Sequence, residues 1–184
     1  MPPFEATWKL WAKGLGLVIL VAHLWHYPPT IEWAWVAAYF GLGISVGFAF
    51  RLFLNPIIDR LLPSQKLDFE AIAGHRLQQA RRNRWLEALL LPGEDGLFFV
   101  PLLLVGSNWL TAGVVAPLYA AMHYPEFPLR LCVVKAVFIY LIALLILPHG
   151  LGTVIVGHLL LDTVGYLLWR STPPPVRSAS ADNS

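Results

Sequence analysis

Three stretches of this 184-residue chain contain no Asp, Glu, Lys or Arg: Gly14–Ile31, Gly96–Pro125 and Ala136–Leu161. A fourth, Trp33–Phe50, is parted from the first only by Glu32. An α-helix needs about 20 mostly apolar residues to cross a bilayer, so these runs fix the class of fold before any motif is considered. Composition points the same way. Hydrophobic residues make up 57% of the chain and charged ones 13%, with a mean hydropathy of +0.61, whereas a soluble domain averages about 45–50% and about 25%. A soluble enzyme, a disordered chain and a nucleic-acid binder are poor fits to that balance. Cys132 is the only cysteine, which excludes an intrachain disulfide and a cysteine-rich metal site.

The pattern predicts an all-α, polytopic membrane bundle of about six helices, near 8–26, 33–54, 85–106, 108–124, 130–147 and 151–169. Turn-type clusters separate them: Tyr27-Pro28-Pro29-Thr30, Gly106-Ser107-Asn108, Pro125-Glu126-Phe127-Pro128 and Pro148-His149-Gly150. With an inside N-terminus, all thirteen Lys and Arg residues fall on one side. Lys9 and Lys13 come first, then seven from Arg51 to Arg84, then Arg130, Lys135, Arg170 and Arg177. The positive-inside rule makes that side cytoplasmic, with both termini on it. The expected location is a prokaryotic inner membrane or a related energy-transducing membrane. The first apolar run lacks a small-residue cleavage site and carries Trp25, His26 and Tyr27 where one would stand, so it does not read as a signal peptide. Residues 1–170 read as one domain. Within it, 64–84 reads either as an amphipathic helix on the cytoplasmic surface or as a solvated connector whose arginines set topology. Residues 171–184, with Pro173-Pro174-Pro175, read as a disordered tail.

A charge at mid-bilayer costs several kcal/mol, so ionisable residues forced inside need a reason. The eleven residues Gly96–Gly106 are too short to span, so the third helix must reach back and carry Glu94-Asp95 into the membrane. Adjacent carboxylates in a low dielectric resist ionising together, which suits one of them to act as a general base. Pro92-Gly93 is expected to open the helix there and expose backbone carbonyls. His158 and Asp162, at i and i+4, share a helix face, so that Asp162 is expected to orient His158. His123 closes the fourth helix after Tyr119. His23 and His26 fit an interfacial belt with Trp25 and Tyr27 and receive no role.

In chain order, Glu94-Asp95-Gly96-Leu97-Phe98-Phe99, Tyr119-Ala120-Ala121-Met122-His123 and His158-Leu159-Leu160-Leu161-Asp162 resemble the three motifs of the CPBP (CAAX-processing and bacteriocin-processing) intramembrane proteases: EExxFR, FxxxH and HxxxN/D. The resemblance lies within 85–169, about half the chain. It implies that Glu94 acts as base on a water, that Asp95 stands at the second glutamate, and that His123 and His158 hold the water and the developing oxyanion. Asp162 stands at the Asn/Asp position, Phe98 at the motif's aromatic, and Tyr119 replaces a phenylalanine. The motif's arginine falls at Phe99, so its cation is missing from this stretch.

The expectation is therefore an intramembrane endopeptidase whose substrate is a membrane-bound peptide or protein, working with the lipid bilayer and without nucleic acid. No cofactor is expected. Zinc is the possible exception, since Glu94, His123 and His158 are ligand types for that ion. The competing readings are a catalytically inactive CPBP-like membrane scaffold or binding protein, a b-type haem protein ligated by His123 and His158, and a small transporter.

Overall fold

The computed structural model describes residues 4–61, 90–124 and 127–171. The segment 64–84 and the tail beyond 171 lie outside the described residues. The described residues are 88% helix, in six helices, with no strand among them. We label them α1 (Phe4–His26), α2 (Trp33–Leu61), α3 (90–105), α4 (Trp109–Ala121), α5 (Leu129–His149) and α6 (Leu151–Ser171). Of these, α2 and α5 are long and apolar enough to cross a membrane.

The α3–α4 and α5–α6 turns each have a chemical cause. Gly106 ends α3 at φ +91°, a left-handed conformation that residues with a Cβ resist. Asn108 then caps α4. Its Oδ1 accepts from Leu110 N at 2.9 Å and Thr111 N at 3.1 Å, and Thr111 Oγ1 accepts from Asn108 N at 3.0 Å. This reciprocal box satisfies donors that a helix start leaves open. Gly150, at φ +108°, makes the turn from α5 into α6.

Prolines shape the long helices from within. In α2 the turn Phe50–Leu54 is π-helical and Pro56 follows it; in α5 the turn Ile142–Ile146 is π-helical and Pro148 follows it. A helical proline clashes with the carbonyl four residues back. Those carbonyls belong to Leu52 and Leu144, both inside the widened turns, so each π-turn absorbs the clash. The widening strands one group. Leu147 N–H bonds to Ile142 O and Pro148 has no N–H, leaving the buried Ala143 carbonyl without a backbone donor. Ser107 Oγ donates to it at 2.7 Å from the α3–α4 turn. Ser107→Ala is expected to cost about 1–3 kcal/mol, the penalty for an unsatisfied buried acceptor. Thermal unfolding in detergent measures it, and an unchanged midpoint would remove this role from Ser107.

The core joins Tyr39, Phe99, Leu102, Tyr119, Ile139, Ile142, Ile146, Leu147 and Val154, all nearly or wholly buried. α4 packs along α5, and α2 along α6. Large apolar side chains also cover the outward faces, among them Leu15, Val18 and Val21 on α1, Val114 and Leu118 on α4, and Val133 and Val137 on α5. At one end, Glu32 N donates to Thr153 Oγ1 at 2.9 Å, and Trp35 stacks on His149 with centroids 3.8 Å apart. At the other, Lys9 Nζ donates to Tyr124 O at 3.2 Å and Arg130 pairs with Asp59 at 2.6 Å. The turns of the first end, 27–32, 106–108 and 148–150, carry no Lys or Arg.

The opening expected at Pro92-Gly93 is not found, because α3 is continuous from residue 90 to 105. Gly93 serves packing instead. A Cβ on Gly93 would collide with the Lys13 carbonyl, one on Gly16 with the Gly93 carbonyl, and one on Gly96 with the Gly16 carbonyl. Three glycines thus let the backbones of α1 and α3 touch, as small residues do where helices pack closely.

Candidate functional site

That close crossing determines what meets Glu94. Lys13 lies one turn before Gly16 on α1, and Glu94 follows Gly93 on α3. With the backbones in contact, Lys13 Nζ reaches Glu94 Oε1 at 2.7 Å. The other carboxylate oxygen, Oε2, faces α4, where it lies 3.3 Å from the Tyr119 hydroxyl and 3.3 Å from His123 Nε2. Asp95, one residue on, points toward α6. His158 Nδ1–H donates to its two oxygens at 3.0 and 3.1 Å.

The Tyr119 hydroxyl joins the halves, standing 3.3 Å from both Glu94 Oε2 and Asp95 Oδ1. One phenol proton cannot serve two carboxylates. Each acid therefore has a further donor of its own, Lys13 for Glu94 and His158 for Asp95. Glu94 is 3% exposed, Asp95 1%, His123 6% and His158 6%. Burial without partners would be prohibitive for such groups, so the pairings are what make the cluster tolerable.

His123 is fixed from both sides. Its Nδ1 lies 3.2 Å from the carbonyl of Tyr119, one turn back, and its Nε2 lies 2.6 Å from Lys135 Nζ on α5. Lys135 Nζ also sits 5.1 Å from the centre of the Tyr119 ring. Tyr39 of α2 stacks on His158 with centroids 6.4 Å apart, and the absence of a side chain at Gly157 makes room for the Tyr39 ring.

Of the residues singled out from sequence, the structure brings Glu94, Asp95, His123 and His158 into one buried cluster. Asp162 stands outside it. Its side chain is 44% exposed and its Oδ2 is 3.9 Å from His158 Nε2, beyond a hydrogen bond. The carboxylate that holds His158 is Asp95, because α3 presents Asp95 squarely to Nδ1 while the turn of α6 carries Asp162 outward.

The set Glu94, His123 and His158 is not drawn to a common point. Lys13 takes one oxygen of Glu94, Lys135 takes Nε2 of His123, and Asp95 takes Nδ1 of His158. Among the described residues no three His, Cys, Asp or Glu side chains are grouped so as to hold a metal ion.

Sequence reasoning gave Lys13 and Lys135 only a topological role and treated Tyr119 as a stand-in for phenylalanine. One signal was available for the lysines. Each is the last charge before a long uncharged run, Gly14–Ile31 and Ala136–Leu161, which sets it at the edge of the apolar layer with reach into it. Phe99, at the position of the motif's arginine, is fully buried and lies 6.0 Å from the Tyr119 ring. The positive charge beside the acids comes instead from α1 and α5. Compared with known protein families, curated proteins and solved structures, the chain matches none.

Proposed function

We propose that this chain is a multi-pass membrane protein, with both termini cytoplasmic, that hydrolyses a peptide bond in a membrane-associated peptide or protein. The observation that carries the reading is Glu94: a carboxylate buried in an apolar bundle, anchored through Oε1 by Lys13, with Oε2 left toward His123 and Tyr119. An anchored carboxylate with one directed oxygen is suited to take a proton from a water bound beside it. Asp95 and His158 back that water from the second half of the cluster through Tyr119. The apolar outward faces of α1, α4 and α5 support a lipid environment, and the cation-free turns at one end support the inside placement of the termini. The reading is metal-free: Lys13 and Lys135 stand against Glu94 and His123, and Asp95 against His158, where a zinc ion would otherwise be held.

Protein reconstituted in liposomes is expected to cleave a membrane-anchored peptide with chelator present, and His158→Ala is expected to lose most of that activity. Loss in chelator with recovery on adding zinc would replace the metal-free chemistry. Equal cleavage by wild type and His158→Ala would remove the protease reading. The Lys13–Glu94 contact itself favours a second reading, a non-catalytic scaffold or binding protein, because a direct ion pair at 2.7 Å is what a purely structural cross-link between α1 and α3 would show. In that case neither protein cleaves, and the Glu94 ion pair serves stability alone.

A further inference from the structure

We infer that Lys135, rather than His123, is the group that stabilises the oxyanion in this hydrolysis; the inference rests on the protease reading. Oxyanion stabilisation needs an N–H aimed at the carbonyl oxygen as it gains charge. His123 has none to give. Its Nδ1 faces the Tyr119 carbonyl at 3.2 Å, and a carbonyl only accepts, so Nδ1 carries the ring proton. Nε2 is then a lone pair, and this is the atom 2.6 Å from the Lys135 ammonium.

The N–H donor at that edge of the His123 ring is therefore the lysine. Its head carries three N–H groups on a rotatable stem, and one of them is oriented by His123. The half-buried position of Lys135 on α5 leaves it within reach of a bound peptide. The Tyr119 ring beneath it, at 5.1 Å, belongs to the residue whose hydroxyl touches Glu94 and Asp95, so ammonium and base share one small volume. A charged donor in such a place is stronger than a neutral N–H.

The steps balance. Water oxygen bonds to the carbonyl carbon while Glu94 Oε2 takes the water proton. The carbonyl electron pair moves onto oxygen, beside the Lys135 ammonium. When the carbonyl reforms, the C–N bond breaks and Glu94 returns its proton to the leaving nitrogen. An acid and an amine depart, and Glu94 is ionised again.

The test uses the full chain in liposomes, a membrane-anchored peptide, and the phosphinate analogue of that peptide, whose tetrahedral anion mimics the intermediate. Lys135→Gln, which keeps a donor and removes the charge, is expected to lower kcat by about 10²–10³-fold. KM is expected to change little, and phosphinate affinity to fall by a similar factor. Lys135→Arg, which keeps the charge, is expected to recover part of both losses and guards against a folding artefact. A Lys135→Gln protein with wild-type kcat and wild-type phosphinate affinity overturns this inference alone, as does one in which only KM rises. Failure of the wild type to cleave overturns the protease reading and this inference with it.

Discussion

Glu94→Gln is expected to lower peptide-bond cleavage by about 10²–10⁴-fold, the contribution of a positioned general base. The substitution keeps the shape of the side chain and removes its ability to take a proton. It also breaks a buried ion pair, leaving the Lys13 ammonium beside an amide. Removing one partner of such a pair is destabilising, so loss of activity alone would not separate chemistry from folding. The double variant Lys13→Met/Glu94→Gln makes the separation, since it removes both charges and leaves no unpaired ammonium. It is expected to regain thermal stability over Glu94→Gln while remaining inactive. A Glu94→Gln protein that cleaves at the wild-type rate would end the assignment of Glu94 as base.

The second large effect is expected at the crossing of α1 and α3. Gly16→Leu forces a side chain against the Gly93 carbonyl and Leu97 Cβ. Backbone cannot yield there as the tip of a side chain can, so the helices must separate. Overpacking of this kind costs about 1–3 kcal/mol and at times more, and a backbone-to-backbone contact belongs at the upper end. The series Gly16→Ala, Gly16→Val and Gly16→Leu is expected to lose stability in that order, with cleavage falling as Lys13 is drawn away from Glu94. Gly14 provides the control two residues earlier, because a Cβ there meets nothing within 4 Å. Gly14→Ala is expected to be neutral or to add up to about 1 kcal/mol through helix propensity. Unfolding titrations in mixed detergent micelles compare the variants, and equal stability of Gly16→Leu and wild type would refute the role given to the crossing.

Much of the architecture was legible in the chain because it depends on local chemistry. Runs without charge, the turns at Gly106-Ser107-Asn108 and Pro148-His149-Gly150, and the shortness of Gly96–Gly106 are read along the sequence, and the six helices follow from them. The burial of Glu94 and Asp95 was legible for the same reason. Their partners were not, because contacts between helices depend on rotation about each axis, and successive residues point about 100° apart. That rotation placed Asp95 rather than Asp162 against His158 and turned Asp162 outward. The glycines misled in a related way. Next to a proline, Gly93 read as a helix opener, whereas its missing side chain serves the approach of α1, which only the packed structure reveals. The cation missing at Phe99 illustrates the same limit, since Lys13 reaches Glu94 from α1 and Lys135 reaches His123 from α5, far away along the chain.

The Lys13–Glu94 pair also has a consequence for how the bundle is assembled. On the membrane reading proposed above, α3 would bring two acids into lipid that alone resist leaving water. Because α1 precedes α3 along the chain and its glycines admit α3 at backbone distance, Lys13 would stand ready to give Glu94 a counter-charge as it arrives. The contact that anchors Glu94 in the folded protein would then also help its helix into place.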